Sequence, residues 1–229
     1  MGDEAVAPMS LSVIIPTLNA AGRLRGTLQT LGAVDDLVVV DGGSTDRTVE
    51  VANTFGARVI TATAGRGHQL MAGAVAATGP WLLFLHADTL LTAGWRADVE
   101  RFAGDPRNPT RAAVFRFVLD DRSWQARLLE RVVSWRVRTL GLPYGDQGLL
   151  IHRDFYRSLG GFPAWPLMED VHLVRRIGRE RLTLLPSAAR TSAERWRRNG
   201  WIRRSLRNLT CLSLYFLGVP PRLIVKFYG

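Results

Sequence analysis

Polar residues follow four apolar runs in the first half of this 229-residue chain. In the clearest case the run WLLFL, at residues 81–85, stops at His86, Ala87 and Asp88. Apolar runs of this length predict buried strands, and the ligands of a parallel α/β sheet bind beyond the carboxyl ends of its strands. The four polar segments are therefore predicted to line one crevice. They are residues 16–19 (PTLN), 41–46 (DGGSTD), 65–69 (GRGHQ) and 86–88 (HAD).

Three carboxylates, Asp46 in the second of these segments and Glu169 and Asp170 later in the chain, have a structural explanation beside a chemical one. Ser44, Thr45 and Asp46 suit the start of a helix, so Asp46 is predicted to be a helix cap. Glu169 and Asp170 open a predicted helix, where acids complement the positive end of the helix dipole. A carboxylate in such a place can also act as a general base that takes a proton from a hydroxyl group. The residues alone leave both roles open for this pair.

The elements that must position these residues alternate in the first half of the chain. Their order, with four strands separated by three helices, predicts a parallel sheet with helices on both faces. After Asp88 the alternation weakens. Strands are predicted at 11–17, 36–44, 57–62, 81–88, 112–119, 148–153 and 182–188. Helices are predicted at 22–32, 45–56, 67–79, 123–141 and 169–180, followed by a helix, a proline break and a tail.

The net charge of +10 is unevenly distributed. Residues 1–170 contain 17 basic and 18 acidic side chains, whereas residues 171–229 contain 13 basic and 2 acidic ones. The basic C-terminal part indicates an anionic partner, which could be membrane lipid, nucleic acid or a phosphorylated substrate.

Three features bear on location. The only cysteine, Cys211, allows no intrachain disulfide, which fits a reducing compartment, and its apolar surroundings predict a buried side chain. Residues 1–10 carry Asp3 and Glu4 and no apolar core, so they are not predicted to be a signal peptide. The longest uncharged apolar stretch, 209–219, is too short to cross a bilayer. We therefore expect a cytoplasmic protein that is not an integral membrane protein.

Five segments in this order resemble the motifs of family 2 glycosyltransferases with the GT-A fold. The resemblance covers about residues 11–180, and the short length with the forms HAD, GDQ and MED is similar to small stand-alone bacterial members. It implies a GT-A domain at 1–190, with a mostly parallel Rossmann-like sheet flanked by helices, and a basic amphipathic helical extension at 191–229. The segments are SVIIPTLN, VVVDGGSTDRT, GRGHQLMAGAVAATG, LLFLHADT and GDQGLLIHRDFYRSLGGFPAWPLMEDVHLVRR.

The resemblance implies a nucleotide site at the first strand ends. The base and ribose would lie against the first two loops, with Asp41 accepting from the base, and Arg66 would meet the diphosphate, since a guanidinium suits phosphate oxygens. Ala20 departs from the pattern, because many relatives have an acidic residue directly after the asparagine. The implied nucleotide-binding residues are Pro16, Thr17, Asn19, Asp41, Gly65, Arg66 and Ala87.

The resemblance also implies a divalent metal, Mn²⁺ or Mg²⁺. Asp88 matches the last position of the family's Asp-x-Asp-like motif, which binds the metal and the donor diphosphate. His86 stands where the first aspartate would be. Its role stays open between contact with the metal or ribose and an orienting or packed histidine.

Catalysis is implied at the MED segment, where Asp170 would be the general base and Glu169 would position the acceptor or a loop. Asp146 and Gln147 would face the donor sugar or the acceptor. The implied activity is inverting, metal-dependent, hexosyltransferase-type transfer from a nucleoside-diphosphate sugar to an acceptor hydroxyl, with UDP-sugars favoured.

The basic C-terminal part leaves three roles open. It could contact the inner face of the cytoplasmic membrane and so serve a lipid-linked acceptor, cover the sheet, or form a homodimer. A nucleotidyltransferase is the first rival function, although residues 16–26 (PTLNAAGRLRG) match its glycine-rich, Arg- and Lys-containing loop poorly. A non-enzymatic membrane- or nucleic-acid-binding protein is the second, suggested only by charge. No nucleic-acid partner is expected, because no recognised motif supports one.

Overall fold

The structure is a computed structural model that describes residues 10–228, apart from the side chains of Arg195 and Tyr228. Residues 1–9, on which most of the expectation about a signal peptide rests, lie outside the described residues.

Eight strands and ten α-helices are found in the described part of the chain. The strands are β1 (Leu11–Thr17), β2 (Asp36–Asp41), β3 (Arg58–Thr61), β4 (Trp81–Phe84), β5 (Leu90–Leu91), β6 (Ala112–Leu119), β7 (Leu149–His152) and β8 (Leu182–Thr191). The helices are α1 (Ala21–Leu31), α2 (Thr48–Thr54), α3 (Arg66–Ala76), α4 (Trp95–Ala103), α5 (Trp124–Leu140), α6 (Arg153–Ser158), α7 (Glu169–Ile177), α8 (Glu194–Asn199), α9 (Trp201–Phe216) and α10 (Pro221–Tyr228). Short 3₁₀ helices lie at Gly145–Gln147 and Arg179–Arg181.

All eight strands form one sheet in the order β3-β2-β1-β4-β7-β6-β8-β5. The pairs β1–β2, β2–β3, β1–β4 and β6–β8 are parallel. The strand β7 is antiparallel to both β4 and β6, and β5 is antiparallel to β8. The predicted α/β class with a mostly parallel sheet is confirmed, and the antiparallel strands belong to the half in which the alternation weakens.

Two predicted strands end earlier than expected. The strand β2 ends at Asp41 rather than at residue 44, because the Asp41 carboxylate accepts hydrogen bonds from the amides of Gly43 and Ser44 and turns the chain. The strand β4 ends at Phe84 rather than at residue 88, because Thr89 N donates to His86 O in a turn. The elements β5, α4 and α6 were not predicted, since β5 and α6 are short and α4 begins only after a turn. The C-terminal part contains three helices rather than one helix and a tail, because Gly200, with a φ of +80°, separates α8 from α9 and the residues after the proline break form α10.

Apolar side chains cover both faces of the sheet. On β1, Val13 and Ile15 face one core with helices α1, α2 and α4, whereas Ile14 faces the other core with α3, α5 and α7. This alternation follows from the two-residue period of a strand. The strands whose ends carry the predicted site residues are therefore packed between two apolar cores, one on each face of the sheet.

The helices α9 and α10 form a third apolar cluster with the segment that leads into α7. Leu167, Met168 and Val171 pack there with Cys211 and Ile224. Cys211 is buried, as expected, and burial raises the pKa of its thiol. Among the described residues, no helix is both long enough and apolar enough to span a bilayer.

Gly67 lets the segment before α7 lie directly against the start of α3. A Cβ at Gly67 would lie 2.3 Å from Pro163 O and 2.6 Å from both Trp165 N and Trp165 O. Gly67 N also donates a 3.2 Å hydrogen bond to Trp165 O. Any larger residue must push the two segments apart, since backbone atoms cannot rotate out of the way.

We expect Gly67→Ala to destabilise the protein by about 1–3 kcal/mol, the usual cost of overpacking. The matched control is Gly22→Ala in α1, where an added Cβ meets nothing within 4 Å. That control should be neutral or stabilising by about 0.5–1 kcal/mol, because alanine restricts the unfolded chain more than glycine does. Urea unfolding of both variants measures the difference. Equal effects in the two variants would contradict the close contact.

Candidate functional site

The loops after β1 and β2 are joined by hydrogen bonds between their tips. Asn19 has a φ of +50°. Its backbone N–H donates to Ser44 Oγ at 2.8 Å, and its side-chain Oδ1 accepts from Thr45 N at 2.9 Å. Gly42 N donates to Thr17 O at 2.9 Å. Asn19 thus fixes the shape of both loops, and its side-chain oxygen is used within the protein.

Asp41 organises the second of these loops. Its carboxylate accepts from Gly43 N at 2.9 Å, Ser44 N at 2.8 Å, Ser44 Oγ at 2.5 Å and Thr17 Oγ1 at 3.2 Å. Burial opposes ionisation, but these hydrogen bonds outweigh it and hold the pKa of Asp41 below its ordinary value. Only 4% of the residue is exposed, so its oxygens face the loop in this state.

Asp46 caps amides at two helix starts, in line with the structural role that the sequence predicts, although the N-cap residue of α2 is Arg47. It accepts from Thr48 N at 3.0 Å, at the start of α2, and from Ala21 N at 3.1 Å, at the start of α1. These hydrogen bonds, with that from the Thr48 hydroxyl first, lower the pKa of Asp46.

Gln69 is a positioning residue that the sequence analysis did not single out. Its amide nitrogen donates to Thr17 O at 2.7 Å and to Val40 O at 2.8 Å, at the ends of β1 and β2. It therefore ties α3 to the two strand ends that carry the loops. Local sequence gives no signal for this role, because a glutamine in a helix start has no preferred partner.

The carboxylate of Asp170 lies at the start of α7, against the turn before β7. Its Oδ2 accepts from Gly145 N at 2.7 Å, and its Oδ1 accepts from Val171 N at 2.7 Å. A Cβ at Gly145 would lie 2.7 Å from His86 Nε2 and 3.3 Å from Asp170 Oδ2. Glycine at this position therefore allows Asp170 and His86 to approach the same peptide.

Arg66, the first residue of α3, connects His86 with the start of α7. Its Nη1 lies 3.2 Å from His86 Nε2, and its Nε lies 3.1 Å from Glu169 Oε1. Because a guanidinium only donates, His86 Nε2 is the acceptor of the first contact. The lone pair that a metal would use on this nitrogen is thus engaged, which favours the orienting role of His86 over the metal-binding one.

Glu169 is completely buried, with 0% of the residue exposed. Arg66 is near enough for an ion pair, yet neither carboxylate oxygen accepts a hydrogen bond from residues 10–228. Burial therefore prevails and raises the pKa of Glu169 to about 7, with a contribution from the charge of Asp170 and against that of Arg66.

Asp146 lies near Asp170 and Asp88, and Arg136 is a second arginine close to it. Burial raises its pKa to about 6, and the charges of Asp170 and Asp88 add to this, whereas Arg136 opposes it. Asp146 Oδ1 is buried and has no hydrogen-bond partner within the described chain. Arg136 stacks on Tyr144, with Cζ 3.5 Å from the ring centroid. From the sequence, Arg136 is predicted only to lie within a helix.

Gln147, Asp88 and the remaining predicted residues have different surroundings. Gln147 is 1% exposed and donates to Phe115 O at 2.9 Å, so its amide nitrogen supports β6. Asp88 lies in the turn after β4, and its carboxylate accepts no hydrogen bond from residues 10–228. Pro16 precedes Thr17, the last residue of β1, and Gly65 precedes α3 with a φ of +133°. The carbonyl oxygen of Ala87 accepts a hydrogen bond from the Thr27 hydroxyl.

The donor set around Asp88 fits a hard divalent cation in part. Among the described residues, no group of three or more His, Cys, Asp or Glu side chains converges at metal-binding distance. Within residues 10–228 the Asp88 carboxylate accepts no hydrogen bond, and the buried Asp146 Oδ1 accepts none there either. Magnesium and manganese prefer oxygen ligands and take several of them from phosphate and water, so one or two carboxylates are sufficient.

Curated relatives of this chain are mycobacterial glycosyltransferases. PGL/p-HBAD biosynthesis glycosyltransferases of Mycobacterium bovis and Mycobacterium tuberculosis are 45% identical over 112 residues, which cover 43% of this chain and 43% of theirs. An uncharacterized glycosyltransferase of Mycobacterium tuberculosis is 32% identical over 138 residues, which cover 57% of this chain and 60% of its own. The matches thus span less than two thirds of these relatives.

Solved structures with the same architecture are more distant in sequence. Glucosyl-3-phosphoglycerate synthase from Mycobacterium tuberculosis, in complex with Mn²⁺, UDP and glucosyl-3-phosphoglycerate, gives a TM-score of 0.61 at 20% identity, over 93% of this chain and 82% of its own. A mannosyltransferase from Pyrobaculum calidifontis, in complex with GDP-Man and Mn²⁺, gives 0.64 at 21% identity, over 88% and 60%. The fold is that of the GT-A glycosyltransferases.

The family itself follows from the sequence match. A family model described as Glycosyl transferase family 2 matches residues 12–149, which is more than half of the chain. This range contains all four strand-end loops from which the sequence argument began. The chain therefore belongs to glycosyl transferase family 2.

Proposed function

We propose that this protein is an inverting, hexosyltransferase-type enzyme that moves a sugar from a nucleoside-diphosphate sugar to an acceptor hydroxyl in the cytoplasm. One observation carries the proposal: the Asp170 carboxylate is held by the Gly145 amide beside the contact of His86 with Arg66. The proposed proton acceptor, Asp170, and the cation proposed to bind the departing diphosphate, Arg66, thus lie in one cleft. Family membership supplies the reaction class.

The donor nucleotide is assigned to the two loops that Asn19 and Asp41 hold together. Pro16, Thr17 and Asn19 would flank the base and ribose, and Asp41 would accept from the base or fix the loop that meets it. The diphosphate would lie against Gly65, Arg66 and Ala87, at the start of α3, where the helix dipole favours an anion. UDP is the proposed nucleotide, although similar folds have been solved with either UDP or GDP-Man.

Mn²⁺ or Mg²⁺ is the proposed cofactor, held by Asp88, with Asp146 as a further donor and with His86 orienting Arg66 beside it. When bound, such an ion neutralises the charge that develops on the departing diphosphate. Arg66 contributes to the same end, because a guanidinium binds phosphate oxygens.

The proton transfer is assigned to this chain's own carboxylate. Asp170 would take the proton from the acceptor hydroxyl while the hydroxyl oxygen attacks the anomeric carbon of the donor sugar. Because the attack comes from the face opposite the leaving nucleoside diphosphate, the anomeric configuration is inverted. Gly145 N would keep the carboxylate oriented. Glu169 would hold Arg66 in place, and Asp146 with Gln147 would face the sugar or the acceptor, which is proposed to be lipid-linked.

Nucleotide binding is the first test of the proposal. Melting temperatures are measured with UDP and with GDP, each with and without Mn²⁺, because a ligand that binds only the folded state raises its stability. Metal-dependent stabilisation by UDP is the expected result, followed by release of UDP and not of pyrophosphate when UDP-sugars are screened. Absence of any response to both nucleotides would overturn the nucleotide assignment.

Asp170→Asn should reduce sugar transfer by about 10²–10⁴-fold, the usual contribution of a general base, and leave UDP binding nearly unchanged. Asp88→Ala should instead weaken the Mn²⁺-dependent part of UDP binding. The matched control is Asp154→Asn, since this aspartate lies on α6 with its side chain 79% exposed. Transfer rates and calorimetric titrations separate the effects. An Asp170→Asn variant with near-normal turnover would place the base elsewhere.

The raised pKa of Glu169 predicts how stability depends on pH. The folded protein keeps a proton on Glu169, with a pKa of about 7, at pH values where the unfolded chain has lost it. The free energy of unfolding should therefore fall as the pH rises from about 5 to about 8. Glu169→Gln removes one titrating group that causes this fall. The free energy of unfolding of this variant should therefore decrease less steeply with pH than that of the wild type.

Urea unfolding at several pH values measures this slope. Glu180→Gln is the control, because Glu180 is an exposed acid just after α7. Its slope should match that of the wild type. Identical slopes for wild type and Glu169→Gln would show that burial does not govern the protonation of Glu169.

A further inference from the structure

Exposed apolar side chains are concentrated on three helices. Among the residues that the structure describes, twelve of the fifteen exposed large hydrophobic ones lie on α5, α9 and α10 or at their ends. The other three are Leu18, Met71 and Val75. Single exposed apolar residues need no explanation, but a concentration of this size indicates an interaction surface.

On α5 these residues form one stripe. Trp124, Leu128, Val132 and Trp135 follow at helical spacing and are 71%, 50%, 50% and 59% exposed. The opposite side of α5 is buried in the core through Ala126, Val133 and Val137. The helix is therefore apolar on two faces, and residues 10–228 leave its outer face exposed.

The helix α9 has a second stripe. Ile202, Leu206, Leu209 and Phe216 are 77%, 58%, 58% and 48% exposed, with Leu217 following at 80%. Trp201, at the start of α9, packs against the same core cluster that buries the inner face of α5. Both helices thus lie on the same side of the sheet. Leu223 and Phe227 extend the exposed apolar set onto α10.

Basic side chains border these stripes. Those on α5, α9 and α10 whose residues are exposed are Arg127, Arg131, Arg138, Arg203, Arg222 and Lys226. Residues 195–229 contain no acidic side chain at all. Exposed tryptophan with arginine along an amphipathic helix is the composition of helices that lie in a membrane interface.

The charge decides between the two obvious occupants. In a two-fold dimer the same patch meets itself, so rows of arginine would face rows of arginine. The only acidic residue on the three helices is Glu130 of α5, which is already paired with Arg127 of the same helix. An anionic bilayer offers headgroups for the arginines and an apolar boundary for the stripes. We propose that α5, α9 and α10 form one docking surface for an anionic lipid bilayer. This surface extends the expected C-terminal contact to α5, and it does not rest on the proposed sugar transfer.

The surface is connected to the cleft by packing. Leu167, Met168 and Val171, at the start of α7, lie in the apolar cluster that α9 and α10 form with Cys211 and Ile224. In a protein docked in this way, the start of α7 with Asp170 lies at a fixed distance from the bilayer surface.

Vesicle co-sedimentation of the full chain tests the proposal. The wild type is expected to pellet with phosphatidylcholine vesicles that contain about 30 mol% phosphatidylglycerol and to stay in solution with phosphatidylcholine alone. Added salt should weaken the binding, because charged headgroups are screened. No pelleting with the anionic vesicles would overturn the proposal without any variant being made.

Two double variants locate the surface: Trp124→Ser with Trp135→Ser, and Leu206→Ser with Leu209→Ser. Each should weaken vesicle binding about tenfold or more, because two exposed apolar anchors are lost. The matched control is Met71→Ser with Val75→Ser, which removes exposed apolar residues from α3 and should change nothing. Melting curves confirm that the variants are folded.

Two results would overturn the assignment of the surface or of its occupant. Unchanged binding in both test variants would place the lipid contact elsewhere. A wild type that forms a dimer by light scattering, dissociates in the same variants and does not pellet with vesicles would show that a second copy covers the surface.

Discussion

The 3.1 Å contact between Arg66 Nε and Glu169 Oε1, which is an ion pair when Glu169 is ionised, is the interaction around which the cleft is arranged. A fully buried carboxylate is costly unless a cation compensates for it, and Arg66 is the cation that lies within reach of Glu169. Arg66 begins α3, which follows β1, β2 and β3, and Glu169 begins α7, which belongs to the second half of the chain. The pair therefore joins both sides of the cleft, and Gly67 permits the close approach that it requires.

The sheet topology brings the remaining groups to this pair. The strands β4 and β7 are antiparallel, with Phe84 opposite Leu149. The residues just after β4 consequently meet the residues just before β7. This pairing explains how His86 comes to lie against Gly145 and why the charge of Asp88 acts on Asp146, although about sixty residues separate them in sequence.

The C-terminal helices have two faces with different tasks. Cys211 and Ile224 are buried against the segment that leads into α7, so α9 and α10 support the cleft from outside the sheet. Their outer faces carry apolar and basic side chains together. Covering the core and contacting a surface, which the sequence presents as alternatives, are thus compatible within the same helices.

Local sequence determined the elements whose signals are local. The strands β1 and β6 have the predicted bounds, because a continuous apolar run between turn residues needs no distant information. The helix start at Glu169 and the cap at Asp46 were likewise readable from the residue types alone. The crevice at the strand ends followed from the polar residues after the apolar runs, and the family motifs added the roles expected of those residues.

Only the tertiary structure decided which groups meet. The antiparallel β7, the hydrogen bonds of Gln69 to two strand ends and the place of Arg136 beside Tyr144 all depend on contacts between distant segments. The same is true of the exposed stripe on α5, because its apolar pattern does not say which side the core will cover. Periodicity and capping are properties of neighbouring residues, whereas burial, ion pairing and raised pKa values arise from packing, which no short window of sequence contains.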